Sequence, residues 1–169
     1  MVAGVMPRGV KPLRMMRFET ALPDVAATAA LAGRVAPLAR RGDVLALSGP
    51  LGSGKTTFAR AFVAARAGRA VEVPSPTFTL VQSYELADGT IFHFDLYRLE
   101  RADDAVELGI DEAFADGISL IEWPERLGDL LPAARLEVRL SVAGDGRRAV
   151  LEAAGDWRDR LAGLARSAT

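Results

Sequence analysis

The run Gly49-Pro50-Leu51-Gly52-Ser53-Gly54-Lys55-Thr56 fits the pattern G-x-x-x-x-G-K-[ST], and its residue types have a shared chemical purpose. Glycines let the backbone curl so that successive N–H groups point inward at phosphate oxygens. A helix opening near Lys55 adds its positive end. Lys55 supplies a point charge for the outer phosphates of a nucleotide, and the Thr56 hydroxyl takes one position around Mg2+. Lys11 and Lys55 are the two lysines among 21 basic residues, and one of them stands where a phosphate cradle requires it. The plainer alternative is a glycine-rich turn that binds nothing. It is disfavoured because an apolar run precedes the loop and a helical pattern follows it.

A nucleotide–metal site also needs a carboxylate at the end of a buried strand. Two runs offer one: Ile118-Ser119-Leu120-Ile121-Glu122, closed by Glu122, and Ile91-Phe92-His93-Phe94-Asp95, closed by Asp95. The bland alternative for each is a surface carboxylate at a strand end. The sequence has no Asn, so the Asn-Lys-x-Asp guanine reader of ordinary GTPases is absent. No cysteine excludes thiol catalysis and a Cys-ligated zinc site, and a single histidine argues against a His-rich metal site or a Ser-His-Asp triad.

Positioning these groups requires a sheet. Val44-Leu45-Ala46-Leu47 reads as a strand buried on both faces. Residues 55–67 read as the helix after the loop. Ahead of the strand, Asp24 caps a helix carrying Leu31, Val35 and Leu38 at helical spacing. Residues 78–85 and 90–96 read as a hairpin about Ala87-Asp88-Gly89, and 136–142 and 149–151 as a second about Gly144-Asp145-Gly146. Residues 103–114 have helical periodicity, 118–121 form another buried strand, and 157–165 close the chain as a helix. The pattern predicts an α/β fold with a mixed sheet and antiparallel hairpins.

The 169 residues suit one domain over 17–169, with 1–16 read as a disordered tail or a misassigned start. A net charge of -1 argues against a broad, charge-driven nucleic-acid binder. No apolar run approaches the ~20 residues needed to span a bilayer, and the N-terminus lacks the apolar region of a secretory signal, which predicts no membrane contact and a cytoplasmic location.

Four blocks in order resemble one family: Gly49 to Thr57; Ser75-Pro76-Thr77-Phe78; His93-Phe94-Asp95-Leu96-Tyr97-Arg98-Leu99; and Ile121-Glu122-Trp123-Pro124. They are similar to TsaE (formerly YjeE), small P-loop ATPases of bacterial tRNA threonylcarbamoyladenosine synthesis, over about residues 22–151. The His-x-Asp-x-Tyr-Arg block followed by Glu-Trp is the specific part. The resemblance implies a P-loop NTPase-like three-layer sandwich that binds ATP and Mg2+ and acts with the TsaD and TsaB proteins. TsaC supplies the activated intermediate, tRNA is met through the complex, and the ATPase does not itself transfer the group to the adenosine beside the anticodon.

By the same resemblance, Leu51, Gly52, Ser53, Gly54, Lys55 and Thr56 bind phosphates, with Gly49, Pro50 and Thr57 in the same nucleotide-binding stretch. Thr56 and Glu122 hold the metal, Asp95 faces the γ-phosphate and attacking water, Thr77 sits in a switch segment, and Arg147 contacts the nucleotide. Lys55, Asp95 and Glu122 form the catalytic group; spacing does not decide which carboxylate is the general base. His93 reads as a strand residue hydrogen-bonded below the site in preference to a proton carrier. Tyr97, Arg98 and Trp123 have packing roles as alternatives to functional ones. Two departures stand out: Pro50 replaces the family's usual acidic residue and removes one backbone donor, and the N-terminal tail has no matching block.

The chemistry expected is phosphoryl transfer to water. The sequence shows no internal arginine finger, which predicts slow turnover alone and faster turnover with partners. Two rivals are a small-molecule kinase, for which no arginine-rich lid is seen over 100–117, and an assembly module in which ATP only shapes a surface.

Overall fold

The computed structural model describes residues 15–72 and 79–167. The apolar run at 44–47 lies at the centre of the sheet, buried on both faces as its lack of alternation predicts. In chain order the strands are β1 (Met16–Leu22), β2 (Val44–Ser48), β3 (Val81–Leu86), β4 (Gly89–Asp95), β5 (Gly117–Glu122), β6 (Leu136–Ala143) and β7 (Gly146–Ala153). The helices are α1 (Val25–Val35), α2 (Lys55–Ala67), α3 (Asp104–Glu107), α4 (Ile110–Asp116) and α5 (Asp156–Arg166).

The sheet order is β1-β7-β6-β2-β5-β4-β3. β2 pairs in parallel with β6 and β5, and β5 with β4. The hairpins β3-β4 and β6-β7 add antiparallel strands, as expected. Alternate residues of β2 point to opposite layers. Leu45 and Leu47 pack with Phe58 and Phe62 of α2, Leu31 and Val35 of α1, and Trp157 and Leu161 of α5. Val44 joins Phe94 and Ile121 beneath Ala105, Ile110 and Ala113 of α3 and α4. The result is the expected three-layer α/β sandwich with a mixed sheet.

Local signals placed most boundaries. Asp24 Oδ1 accepts from the Ala27 N–H at 2.8 Å and starts α1. Gly68, at φ +66°, ends α2 with the left-handed turn glycine permits. Two expectations need correction. The single helix read over 103–114 is two helices, because Gly109 adopts φ +80° and its N–H bonds back only three residues, to Val106 O. A strand also precedes α1. β1 begins at Met16, directs Phe18 toward the core and exposes Arg17 and Glu19, which pair with Glu152 and Arg148 of β7. Six residues of alternation are a weak signal until β7 supplies the partner edge. The tail at 1–14 lies outside the described residues, and no helix among those described is long and apolar enough to cross a membrane.

Candidate functional site

Parallel register brings three strand ends level. Leu47 pairs with Glu122, and Glu122 with Asp95, at the carboxyl ends of β2, β5 and β4. Open α/β sheets bind ligands at this edge. Period-2 alternation puts His93 and Asp95 on the same face as Ile91, and Glu122 on the same face as Leu120; Ile91 and Leu120 pack in the α2 layer. The chain leaving β2 enters the glycine-rich loop on that same side and continues into α2.

Backbone geometry explains three of the loop's residues. Gly49 has φ +142°, and a Cβ there would lie 2.1 Å from Leu140 O and 2.7 Å from Ser53 Oγ. Gly52 and Gly54 have φ +77° and +104°, in the left-handed region. The Ser53 N–H donates to Pro50 O at 3.1 Å, while its buried hydroxyl has no hydrogen-bond partner among the described residues. Lys55 Nζ donates to Gly49 O at 2.6 Å and Pro50 O at 3.0 Å, and lies 4.1 Å from the centre of the Trp123 ring. Burial lowers its pKa from the usual lysine value; Glu122, Asp95 and Glu125 pull the other way. A buried ammonium held by carbonyls and a π face is a cation lodged where an anion would relieve it.

The two carboxylates differ in setting. The Thr56 hydroxyl donates into the Glu122 carboxylate, 2.9 and 3.0 Å from its two oxygens. His93 Nε2 lies 2.8 Å from Glu122 Oε1, with both side chains buried. Asp95 is buried at the cavity wall and accepts from the Tyr97 N–H at 3.2 Å. Non-glycine residues in the left-handed region flank both: Leu80, at φ +63°, whose carbonyl accepts from the Asp95 N–H, and Trp123, at φ +58°, directly after Glu122. Such conformations cost about 1–3 kcal/mol and persist where surrounding packing enforces them.

These groups surround a cavity of about 340 Å3 lined by Leu51, Gly52, Gly54, Lys55, Thr56, Thr57, Asp95, Tyr97, Arg98, Glu122 and Trp123. Its mouth is open, since Leu51 is 80% and Tyr97 48% exposed. Gly49 and Pro50 turn their carbonyls to Lys55, and Ser53 is buried beneath. Arg147 is not in this cavity. Its Nε donates to Gly52 O at 3.0 Å, and it lines a second cavity of about 180 Å3. That cavity shares Gly52, Gly54 and Thr57 with the first and adds Asp24, Thr28 and Asp145. These last three carried no sequence signal beyond a helix cap, a helix residue and a hairpin turn. Thr77 lies outside the described residues.

No cluster of three His, Cys, Asp or Glu side chains that could hold a metal occurs among the described residues. The Thr56–Glu122 pair offers oxygen donors only. Such a sparse, hard set suits Mg2+, which keeps several waters and takes its remaining oxygens from substrate phosphates.

Comparison with known proteins gives a consistent result. The family model "Threonylcarbamoyl adenosine biosynthesis protein TsaE" matches residues 22–150. A Rickettsia bellii protein named tRNA threonylcarbamoyladenosine biosynthesis protein TsaE is 36% identical over 136 residues, 80% of this chain and 94% of that one. A Bacillus subtilis protein of the same name is 38% identical over 139 residues, covering 82% and 85%. The crystal structure of Bacillus subtilis YdiB superposes with a TM-score of 0.73 at 31% identity, covering 94% of this chain and 98% of that one.

Proposed function

The chain belongs to the TsaE family of tRNA threonylcarbamoyladenosine biosynthesis proteins, and from that premise we propose that it is a cytoplasmic P-loop ATPase of that pathway, binding ATP with Mg2+ and acting with TsaD and TsaB. One observation carries the reading: Lys55, the Thr56–Glu122 pair and Asp95 meet around a single cavity at the sheet's carboxyl edge. The triphosphate lies over residues 49–57, where its oxygens accept from loop N–H groups and replace the Gly49 and Pro50 carbonyls as acceptors for the Lys55 ammonium. Arg147, which lines the adjoining second cavity, would contact the remainder of the nucleotide.

Thr56 and Glu122 would hold the metal, which when bound neutralises phosphate charge. Asp95 orients the attacking water and takes its proton. Glu122, which accepts from Thr56 and meets His93, is assigned to the metal side. The open mouth leaves water and the reacting phosphate poorly sequestered, so turnover by the isolated chain is slow and partner docking raises it.

Reconstituted tRNA modification tests this directly. Omitting the chain, or replacing ATP with a non-hydrolysable analogue, is expected to stop multiple turnover. ATP hydrolysis is expected to rise when TsaB and TsaD are added. Fast hydrolysis that is indifferent to the partners, or modification that proceeds without this chain, would refute the proposal.

A further inference from the structure

His93 is the chain's single histidine, and it is wholly buried. Its Nε2 meets Glu122 Oε1 at 2.8 Å, while its Nδ1 has no hydrogen-bond partner among the described residues. A carboxylate only accepts, so Nε2 carries the proton. A proton on Nδ1 would be a buried donor facing no acceptor among the described residues. The hydrogen-bond network therefore assigns the ring as the Nε2–H tautomer.

Register adds a second constraint. His93 pairs with Leu120, one side-chain repeat below the Asp95–Glu122 pairing and on the same face. The imidazole thus donates to Glu122 from beneath the cavity, while Thr56 donates from α2. A glutamate side chain has three torsions, and these two donors oppose its rotation. Stability alone explains such a pair poorly, since replacing buried polar partners by apolar ones is often neutral.

We propose that His93 is a positioning residue, whose Nε2–H fixes the Glu122 carboxylate so that the Thr56–Glu122 oxygen pair is pre-formed for a divalent cation. This rests on reading the cavity as a Mg2+–nucleotide site. Hydrogen-bond partners of metal-ligating carboxylates act in this way elsewhere. His93 itself touches neither nucleotide nor cation.

The test uses the full chain. With one histidine, long-range 1H–15N spectra of the nucleotide-free protein report this ring alone, and a protonated Nε2 with a bare Nδ1 is expected. Adding Mg2+ with ADP should shift the Nε2 signal, whereas ADP in EDTA should leave it nearly in place. Mn2+ affinity in the presence of ADP, read by electron paramagnetic resonance, then separates two variants. His93→Gln keeps a donor at the Nε2 position, and His93→Asn ends one bond short. The Asn variant should bind Mn2+ about 10–100-fold more weakly, with Gln recovering most of the loss and ADP affinity in EDTA unchanged in both.

Equal Mn2+ affinity in wild type and a folded Asn variant would overturn the role, as would a parallel loss of metal-free ADP binding or a protonated Nδ1. Should the Asn variant fail to fold, a wild-type Nε2 signal unmoved by Mg2+ with ADP would overturn it equally. A wild-type chain that binds no nucleotide at all would instead bring down the site reading, and this role with it.

Discussion

Alanine at Gly49 and at Gly52 should have unequal effects, although both glycines have positive φ. At Gly52 the added Cβ meets nothing within 4 Å. The cost is the left-handed backbone, about 1–2 kcal/mol, less about 0.4–1 kcal/mol from a stiffer unfolded chain. A net loss of about 0–1.5 kcal/mol lowers Tm by at most about 6 °C for a domain of this size. At Gly49 the Cβ falls 2.1 Å from Leu140 O, against ordinary contact at 3.4 Å or more. The loop must therefore move about 1 Å away from β6, and Leu140 is a backbone-paired residue that yields little. Backbone strain of about 1–3 kcal/mol and overpacking of similar size predict a net loss of about 2–5 kcal/mol. Thermal melts followed by circular dichroism should show Gly49→Ala falling by about 4–20 °C. Calorimetric titration with ADP should show its affinity reduced, since the displaced segment carries the amides proposed to face the phosphates. Equal Tm losses in the two variants, or wild-type ADP affinity in Gly49→Ala, would refute the claim that close approach to β6 sets the loop's shape.

Lys55→Met should weaken ADP binding by about 10–100-fold, the worth of a charge-assisted hydrogen bond, while the nucleotide-free melt moves little. Because the Lys55 pKa is lowered by burial, the folded chain gives up that proton before the unfolded chain does. This group's contribution to stability then rises with pH in the window below 10.5, while phosphate affinity falls across the same window; calorimetry and melts at stepped alkaline pH check the two opposite signs. Arg160 pairs with Asp43, donates to Leu38 O and covers the Trp157 ring, at 11% and 15% side-chain exposure for the pair. Arg160→Ala should cost about 2–4 kcal/mol in chemical denaturation and leave ADP affinity unchanged. Asp95→Asn should keep ADP binding but lower ATP hydrolysis by about 10²–10⁴-fold; tRNA modification that survives this loss would favour the assembly-module alternative.

How much could be read in advance depended on sequence distance. The loop, its strand and its helix were legible because residues 44–67 are consecutive and governed by local rules: an apolar run, glycines where φ is positive, and a helix following at once. The ends of the 103–114 segment were legible, but its break at Gly109 was not, since an isolated glycine within a helical pattern is usually tolerated. β1 was missed because an edge strand is defined by its partner. The two carboxylates could be nominated as strand ends, but their separate surroundings could not.

By itself, the sequence determined the glycine-rich loop, the strand–helix alternation and the carboxylates worth considering, since these depend on short-range backbone preference and on side-chain period. Only tertiary structure decided that Glu122 meets Thr56 across 66 residues and His93 across 29, that Lys55 rests against Trp123, and that Asp24 and Arg147 share a second cavity. Those meetings follow from strand order and register, and register is chosen by the burial of whole sheet faces, a sum over distant residues that no short window of sequence contains.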